Sequence, residues 1–151
     1  MRIFVSVDDT DTKESRGTGF RSRQMGSELM LAGHGKVFGV TRHQLFVHEL
    51  IPYTSQNSSN CLEIETNHTE KLWEFCRRFM VREALPGSDV GLCMAEIDKI
   101  PEEVEEWGRR AKREVLTQVE AIDIAERHNI KLEGLTGTKD GIIGALAAIG
   151  L

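Results

Sequence analysis

A chain of 151 residues with 24 acidic and 19 basic side chains has a formal charge of -5, so no global positive field draws it to nucleic acid and any basic patch must be local. That length suits one compact domain that buries roughly two thirds of its potential surface without a disulfide or structural metal. No internal repeat or low-complexity linker points to a second domain. Cys61, Cys76 and Cys93 are far apart and odd in number, which argues for reduced thiols filling the core of a cytoplasmic protein. The amino terminus lacks a signal-peptide pattern, and the longest apolar run, Ile142 to Leu151, is too short to cross a bilayer.

Arg2 to Val7 alternates polar and apolar residues and is rich in β-branched side chains, which predicts a strand. Asp8, Asp9 and Asp11 follow where that strand ends. Carboxylates gathered at one place repel, so two readings stay open: an Asx-type turn in open water, or a Mg²⁺ and phosphate site whose cation offsets the repulsion. A loop of glycines and hydroxyls, Arg16-Gly17-Thr18-Gly19, comes next. Phe20 to Ala32 predicts a helix with an apolar face of Met25, Leu29 and Ala32, started by a Thr18 or Ser22 cap and stopped by Gly33-His34-Gly35. Arg21 and Arg23 in its opening turn oppose the macrodipole, so they either face a bound anion or stand in solvent.

Lys36 to Val47 predicts a second strand with a bulge or bend near Thr41-Arg42-His43. Glu49 to Asn60 is a polar loop whose Tyr53, Thr54, Ser55, Gln56, Asn57, Ser58 and Ser59 suit either a ligand pocket or plain surface. Cys61 to Glu65 alternates cleanly as a third strand. Asn67 and Glu70 have capping-box spacing ahead of Leu72, Phe75, Cys76 and Phe79, which predicts the most regular helix, with Trp73 padding the core edge. Pro86-Gly87 marks a turn, and Asp89 to Ile97 a fourth strand.

Pro101, Glu102 and Glu103 open a helix striped by Val104, Trp107, Ala111 and Val115. Arg109, Arg110, Lys112 and Arg113 form a basic cluster on it, either a nucleic-acid patch or a solvated face paired with Glu105, Glu106 and Glu114. Val119, Ile122 and Ala125 continue the pattern after a break near Thr117, and Ile130 to Leu135 is a short segment beyond it. The final block, Gly134 to Gly141, leads into a small-residue helix from Ile142 to Ile149. Glycines with Thr138 and Lys139 at a helix start suit an anion, although the Walker spacing is absent. Gly144, Ala145, Ala147 and Ala148 imply that this helix lies close to the sheet. The expected fold is a single α/β domain, a mixed sheet of about four strands packed with about four helices.

Three ordered blocks resemble a known family. Val7-Asp8-Asp9-Thr10-Asp11-Thr12 is similar to an Ile-Asp-Asp-Thr-Asp-Ser motif; Arg42, with Leu50 to Asn60 ahead of Cys61 to Glu65, is similar to an arginine and a pocket segment before a strand; Lys139 to Gly150 is similar to a Gly-rich helical block. Together they resemble the kinase-like amino-terminal domain of the archaeal 2-agmatinylcytidine synthetases, which use ATP and agmatine to modify the wobble cytidine of isoleucine tRNA. The resemblance covers that domain and not the family's agmatine- and tRNA-binding domains.

It implies an ATP- and Mg²⁺-dependent nucleotide-binding or phosphotransfer domain. Asp8, Asp9 and Asp11 would be the catalytic and metal-holding residues. Gly17, Thr18, Arg42, Asn57, Asn60, Gly137 and Lys139 would bind the nucleotide, with Arg42 and Lys139 facing its phosphates. Two departures bear on this: Gly17-Thr18-Gly19-Phe20-Arg21 displaces the threonine that the family phosphorylates on itself, and Thr54 to Asn60 lacks the family's two basic side chains. A rival reading is therefore a noncatalytic nucleotide- or anion-binding or assembly protein. Another is an RNA-modification accessory whose missing domains come from a second polypeptide. A partner protein or a second copy of the chain stays open, no membrane association is expected, and the chain alone is not expected to bind tRNA tightly.

Overall fold

The computed structural model of the chain describes residues 1–8, 18–45, 58–84 and 87–151. Its elements in chain order are β1 (Arg2–Asp8), α1 (Thr18–Leu31), β2 (Lys36–Gln44), β3 (Ser58–Glu65), α2 (Thr69–Glu83), β4 (Gly91–Glu96), α3 (Glu102–Ala111), α4 (Gln118–Arg127), β5 (Lys131–Gly134) and α5 (Gly141–Gly150), with a 3₁₀ turn at Ile97–Lys99. Among the described residues the strands form one five-stranded sheet in the order β2-β3-β1-β4-β5. Every pairing in it is antiparallel.

The period-two pattern of β1 sorts its side chains onto two faces. Ile3, Val5 and Val7 join Leu62, Ile64, Leu92 and Met94 beneath α1 and α2, where Met25, Leu29, Leu72, Cys76 and Phe79 close a first core. Phe4 lies on the other face, where Ala145, Leu146 and Ile149 of α5, Val104 and Trp107 of α3 and Ile124 of α4 close a second. α5 and α3 meet almost backbone to backbone: a methyl on Gly108 would press on the Ala147 carbonyl, and one on Gly150 would collide with that of Val104. Trp107 Nε1 then donates to the Ile143 carbonyl at 3.2 Å. The closeness to the sheet expected of Gly144 to Ala148 is present.

The layered α/β domain expected from the sequence stands, with four differences in detail. The sheet, expected to be mixed, has only antiparallel pairings among the described residues, because each helical crossover skips a strand: β1 and β2, joined through α1, run the same way with β3 between them, and β3 and β4, joined through α2, run the same way with β1 between them. A fifth strand, β5, comes from the short segment at Ile130 to Leu135. The long helical pattern divides near Thr117 as expected, and the Thr117 side chain caps α4 by accepting from the Glu120 N–H at 3.3 Å. α2 starts later than the capping-box reading gives: His68 is its cap residue without a side-chain bond, and Thr66 Oγ1 accepts from the His68 N–H at 3.1 Å. The register shift in β2 falls between Val37 and Gly39, ahead of the expected bulge, where Gly39 lacks a side chain to hold the ladder. Gly33 ends α1 at φ 78°, the left-handed stop expected of it.

Candidate functional site at the end of the central strand

β1 lies at the centre of the sheet and ends at Asp8. The pairings place His43, Ser59, Asp8, Gly91 and Gly134 in one row across β2, β3, β1, β4 and β5. Residues directly opposite in antiparallel strands share a face, and in this row that face is the one under α5. Two residues further down the strand, Ser6 Oγ donates to the Ala145 carbonyl. The Asp8 carboxylate itself packs against Gly144, where a methyl would collide with it, and Leu45 closes the same spot. An aspartate only 7% exposed thus sits against the first turn of α5, whose positive dipole end favours a negative charge.

The block leading into α5 folds back over the strand ends, and the reason is visible in its bonds. Asp89 accepts twice, from the Thr138 N–H through its carboxylate (2.8 Å) and from the Gly141 N–H through its carbonyl (2.8 Å). Thr136 Oγ1 accepts from the Val90 N–H and donates to the Ser88 carbonyl, both at 3.0 Å. The Lys139 N–H reaches the Thr136 carbonyl (3.0 Å), and those of Ile142 and Ile143 reach Lys139 and Asp140 (3.2 Å each). Gly137 at φ 58° and Lys139 at φ 67° make the tight turn. The stem of Lys139 lies over Gly134, and the Gly141 backbone lies over Gly91. The backbone donors of this helix start are therefore already engaged by the chain's own acceptors, and what it offers a ligand is the Lys139 side chain.

The opposite face of the strand end is built differently. Asn60 pairs with Val7 on one side and Arg42 on the other, so these three share the face under α1. Ser22 belongs to the buried stripe of α1 with Met25 and Leu29. Three side-chain atoms near the strand end are buried and make no hydrogen bond among the described residues: Ser22 Oγ, Asn60 Nδ2 and, beside Asp8, Ser59 Oγ. Buried polar groups without partners are uncommon and costly, on the order of 1–3 kcal/mol each.

Of the residues singled out from the sequence, Asp8, Thr18, Arg42, Asn60, Gly137 and Lys139 lie at or beside this strand end. Thr18 is the first residue of α1. Asp9, Asp11, Gly17 and Asn57 lie outside the described residues. No group of three His, Cys, Asp or Glu side chains placed to hold a metal occurs among the described residues, and Asp8 is the described member of the expected triad. Its hard oxygen donors, with the orphaned oxygen of Ser59 beside it, fit a small divalent cation better than a soft metal. From the sequence, Ser59 belongs to the polar loop that suits either a ligand pocket or plain surface, and Asp89 has no site role; the signal for Ser22 is a hydroxyl standing three and seven residues ahead of Met25 and Leu29 on an otherwise apolar face.

Arg109, Arg110 and Arg113 pair with Glu106, Glu114 and Glu120 at 2.9 to 3.8 Å, the solvated-face reading of that cluster. Lys112, at the end of α3, stands near the half-buried His43, and burial followed by that ammonium holds the imidazole below its ordinary range. Burial pushes the Cys61 and Cys76 thiols up to about 12 and raises that of Cys93, so all three are inert core residues. No helix among the described residues is long and apolar enough to cross a membrane.

Fold and site define a class: an antiparallel sheet covered on both faces by helices, with a carboxylate at the end of its central strand. No family profile matches the chain. An uncharacterized protein of Methanocaldococcus jannaschii is 30% identical over 157 residues, which cover 99% of this chain and 50% of that one; the chain thus spans about half the length of this curated relative. Among solved structures, apo TiaS, an agmatidine synthetase for an isoleucine tRNA, matches 99% of this chain with 35% of its own length, at 21% identity and a TM-score of 0.84. TiaS in complex with that tRNA and ATP matches at 22% identity and 0.86, and a tRNA fluorescent labeling enzyme at 23% and 0.86, each with 36% of its length. The chain has the fold of about one third of TiaS, and the resemblance carried by its three sequence blocks holds at the level of that fold.

Proposed function

We propose that the end of β1 is a nucleotide site, at which ATP binds with Mg²⁺ in a kinase-like domain related to the tRNA wobble-cytidine modification enzymes. The observation that carries this reading is the buried Asp8 carboxylate at a strand end flanked by orphaned polar atoms of Ser59 and Asn60. The resemblance of the aspartate block, and the ATP complex of TiaS, which has the same fold, support it.

In this site Asp8, with Asp9 and Asp11, holds the cation, which when bound neutralises phosphate charge and polarises the transferring group. Gly17, Thr18, Asn57 and Asn60 line the pocket, and Arg42 with the Lys139 ammonium contacts the phosphates. Gly137 serves as the turn that presents Lys139. The Asp8 carboxylate is held in place by Gly144 and the start of α5, so the protein supplies position and a fixed field without rearranging.

Titration calorimetry with ATP and ADP, with and without Mg²⁺, tests the reading. Magnesium-dependent binding that Asp8→Asn removes is the expected result. No binding at millimolar nucleotide in either condition sinks it. Binding with neither phosphate release nor transfer to an offered RNA or small acceptor instead favours a noncatalytic nucleotide-binding or assembly protein, the reading consistent with the rewritten Thr54 to Asn60 segment.

A further inference from the structure

We infer that the two faces of this strand end divide the work: Asp8 holds the cation on the α5 face, and a buried donor pair, Ser22 Oγ and Asn60 Nδ2, receives a phosphoryl oxygen on the α1 face. Ser22 is the residue this adds. The inference takes its ligand from the nucleotide reading above.

Placement comes first. β1 rises to Asp8, β3 descends from Ser58, and α1 descends from Thr18 towards the turn at Gly33, so α1 runs alongside β3 in the same direction. Gly26 lies over Leu62 and Val37. One helical turn back from Gly26 is Ser22, and two strand residues back from Leu62 is Asn60; these steps cover about 6 and 7 Å. Ser22 therefore stands at the level of Asn60, over the face that Asn60 shares with Arg42. Both are more than nine-tenths buried, at 0% and 3% exposure.

Chemistry comes second. Asn60 Nδ2 is only a donor, the Ser22 hydroxyl is free to donate, and Arg42 brings a guanidinium to the same face. The first turn of α1 contains no acidic residue, and its positive end points to the same level. Glu83, at the upper end of α2, is tied up by Arg21 at 3.5 Å and Arg82 at 3.3 Å. Such a set of donors recognises an anionic oxygen. Among the described residues the orphaned buried side-chain atoms are Ser22 Oγ, Ser59 Oγ and Asn60 Nδ2. They converge on the last two rows of one strand end instead of being scattered as packing faults.

The start of α5 shows why the anion belongs here. Its N–H groups are spent on Asp89, Thr136 and its own first turn, whereas Ser22 Oγ and Asn60 Nδ2 have no acceptor among the described residues. The two faces thus present complementary halves of a magnesium-phosphate ligand, a carboxylate and a set of donors, on either side of β1.

The experiment is calorimetric titration of the full chain with ATP and with inorganic pyrophosphate, each with and without Mg²⁺, alongside thermal unfolding of the free protein. Ser22→Ala removes an unsatisfied hydroxyl, so the free variant is expected to unfold at the wild-type temperature or above it. Its affinity for both probes falls about ten- to hundredfold, with or without Mg²⁺, the loss typical of a charge-assisted bond. Asn60→Leu gives the same loss, and Ser22→Cys, of similar size but a weak donor, is the second variant if either fails to fold. Wild-type affinity in Ser22→Ala and Ser22→Cys overturns the pair as a ligand site and leaves a packing fault or a bound water. Pyrophosphate binding that depends on Ser22, without ATP binding, supports the donor pair and sinks the nucleotide reading. Binding of neither probe by the wild type overturns both.

Discussion

Two helices begin beside the same strand end, and they begin in opposite states. The start of α5 is closed: Asp89 and Thr136 take its donors, and Gly91, Gly134 and Gly144 let its backbone and the Lys139 stem press directly onto the sheet. The face under α1 is open in the hydrogen-bonding sense, with Ser22 and Asn60 buried and their donor atoms lacking partners among the described residues. A glycine-rich turn before a helix is commonly read as an anion cradle. Here the comparison teaches that such a turn can be consumed by its own chain, while a plain serine inside an apolar helical stripe keeps an unused donor.

The largest expected effect tests the closed side. Gly91→Ala drives a methyl into the backbone of Gly141 and Ile142, which has no side chain able to move aside. Overpacking of this kind typically costs about 1–3 kcal/mol and occasionally more, and we expect about 3 kcal/mol in chemical denaturation. A loss under about 0.5 kcal/mol, the level of an ordinary surface change, shows that α5 does not bear on the strand end as described.

Lys139→Ala asks whether the closed start still contributes a charge. A direct phosphate contact predicts about a ten- to hundredfold weaker nucleotide affinity with an unchanged thermal midpoint. Equal affinity at matched ionic strength removes Lys139 from the site and leaves the turn as a packing device. Asp89→Ala sharpens the same side by releasing the Thr138 N–H; because the group it frees is exposed to water, about 1 kcal/mol of stability is expected to be lost. Restored stability in Asp89→Asn, whose side-chain oxygen still accepts, identifies the hydrogen bond as the cause.

The smallest effect lies away from both helix starts and serves as a control. Arg127 and then His128 hold the Glu103 carboxyl down at about 2, across the ends of α3 and α4. A depressed folded-state value means that the contribution is present above the ordinary carboxylate range and is lost as pH falls from about 4.5 to about 2. The group is exposed, so the effect is small and weakens with salt. Acid titration of Glu103→Gln, followed by unfolding midpoint, should show a shallower fall over that window than wild type, without any change in nucleotide affinity at neutral pH. An identical acid profile removes the cluster as a source of pH dependence.

Much of this was legible in the sequence because it is local. The alternation of Arg2 to Val7 and of Cys61 to Glu65, the Gly33 stop and the break at Thr117 each depend on residues within a few positions. Asp8 was legible as a carboxylate at a strand end, but not its burial against Gly144, since those residues are brought together only by the fold. β5 is too short, at Lys131–Gly134, for alternation to distinguish it from a loop. The antiparallel order also escaped, because hydrophobic pattern specifies faces and not neighbours. Ser22 was seen as a cap for the same reason: its position in the stripe was visible, the amide of Asn60 facing that stripe was not.

The central place of β1 has a consequence for the order in which the chain takes shape. Its partners are β3 and β4, with Arg2 opposite Glu65 and Ile3 opposite both Ile64 and Glu96. This strand is thus enclosed late, since neither of its edges is covered until residues far along the chain have been synthesised. Non-local pairings of this kind carry a loop-closure cost ahead of any reward, and proteins dominated by them fold in about milliseconds to seconds rather than microseconds. During that interval the apolar Ile3, Val5 and Val7 stand on an unpaired edge, the kind of edge that templates association between chains. Refolding yield is therefore expected to fall with protein concentration more steeply than equilibrium stability alone dictates, with the growing nascent chain most vulnerable before Gly91 to Glu96 emerges.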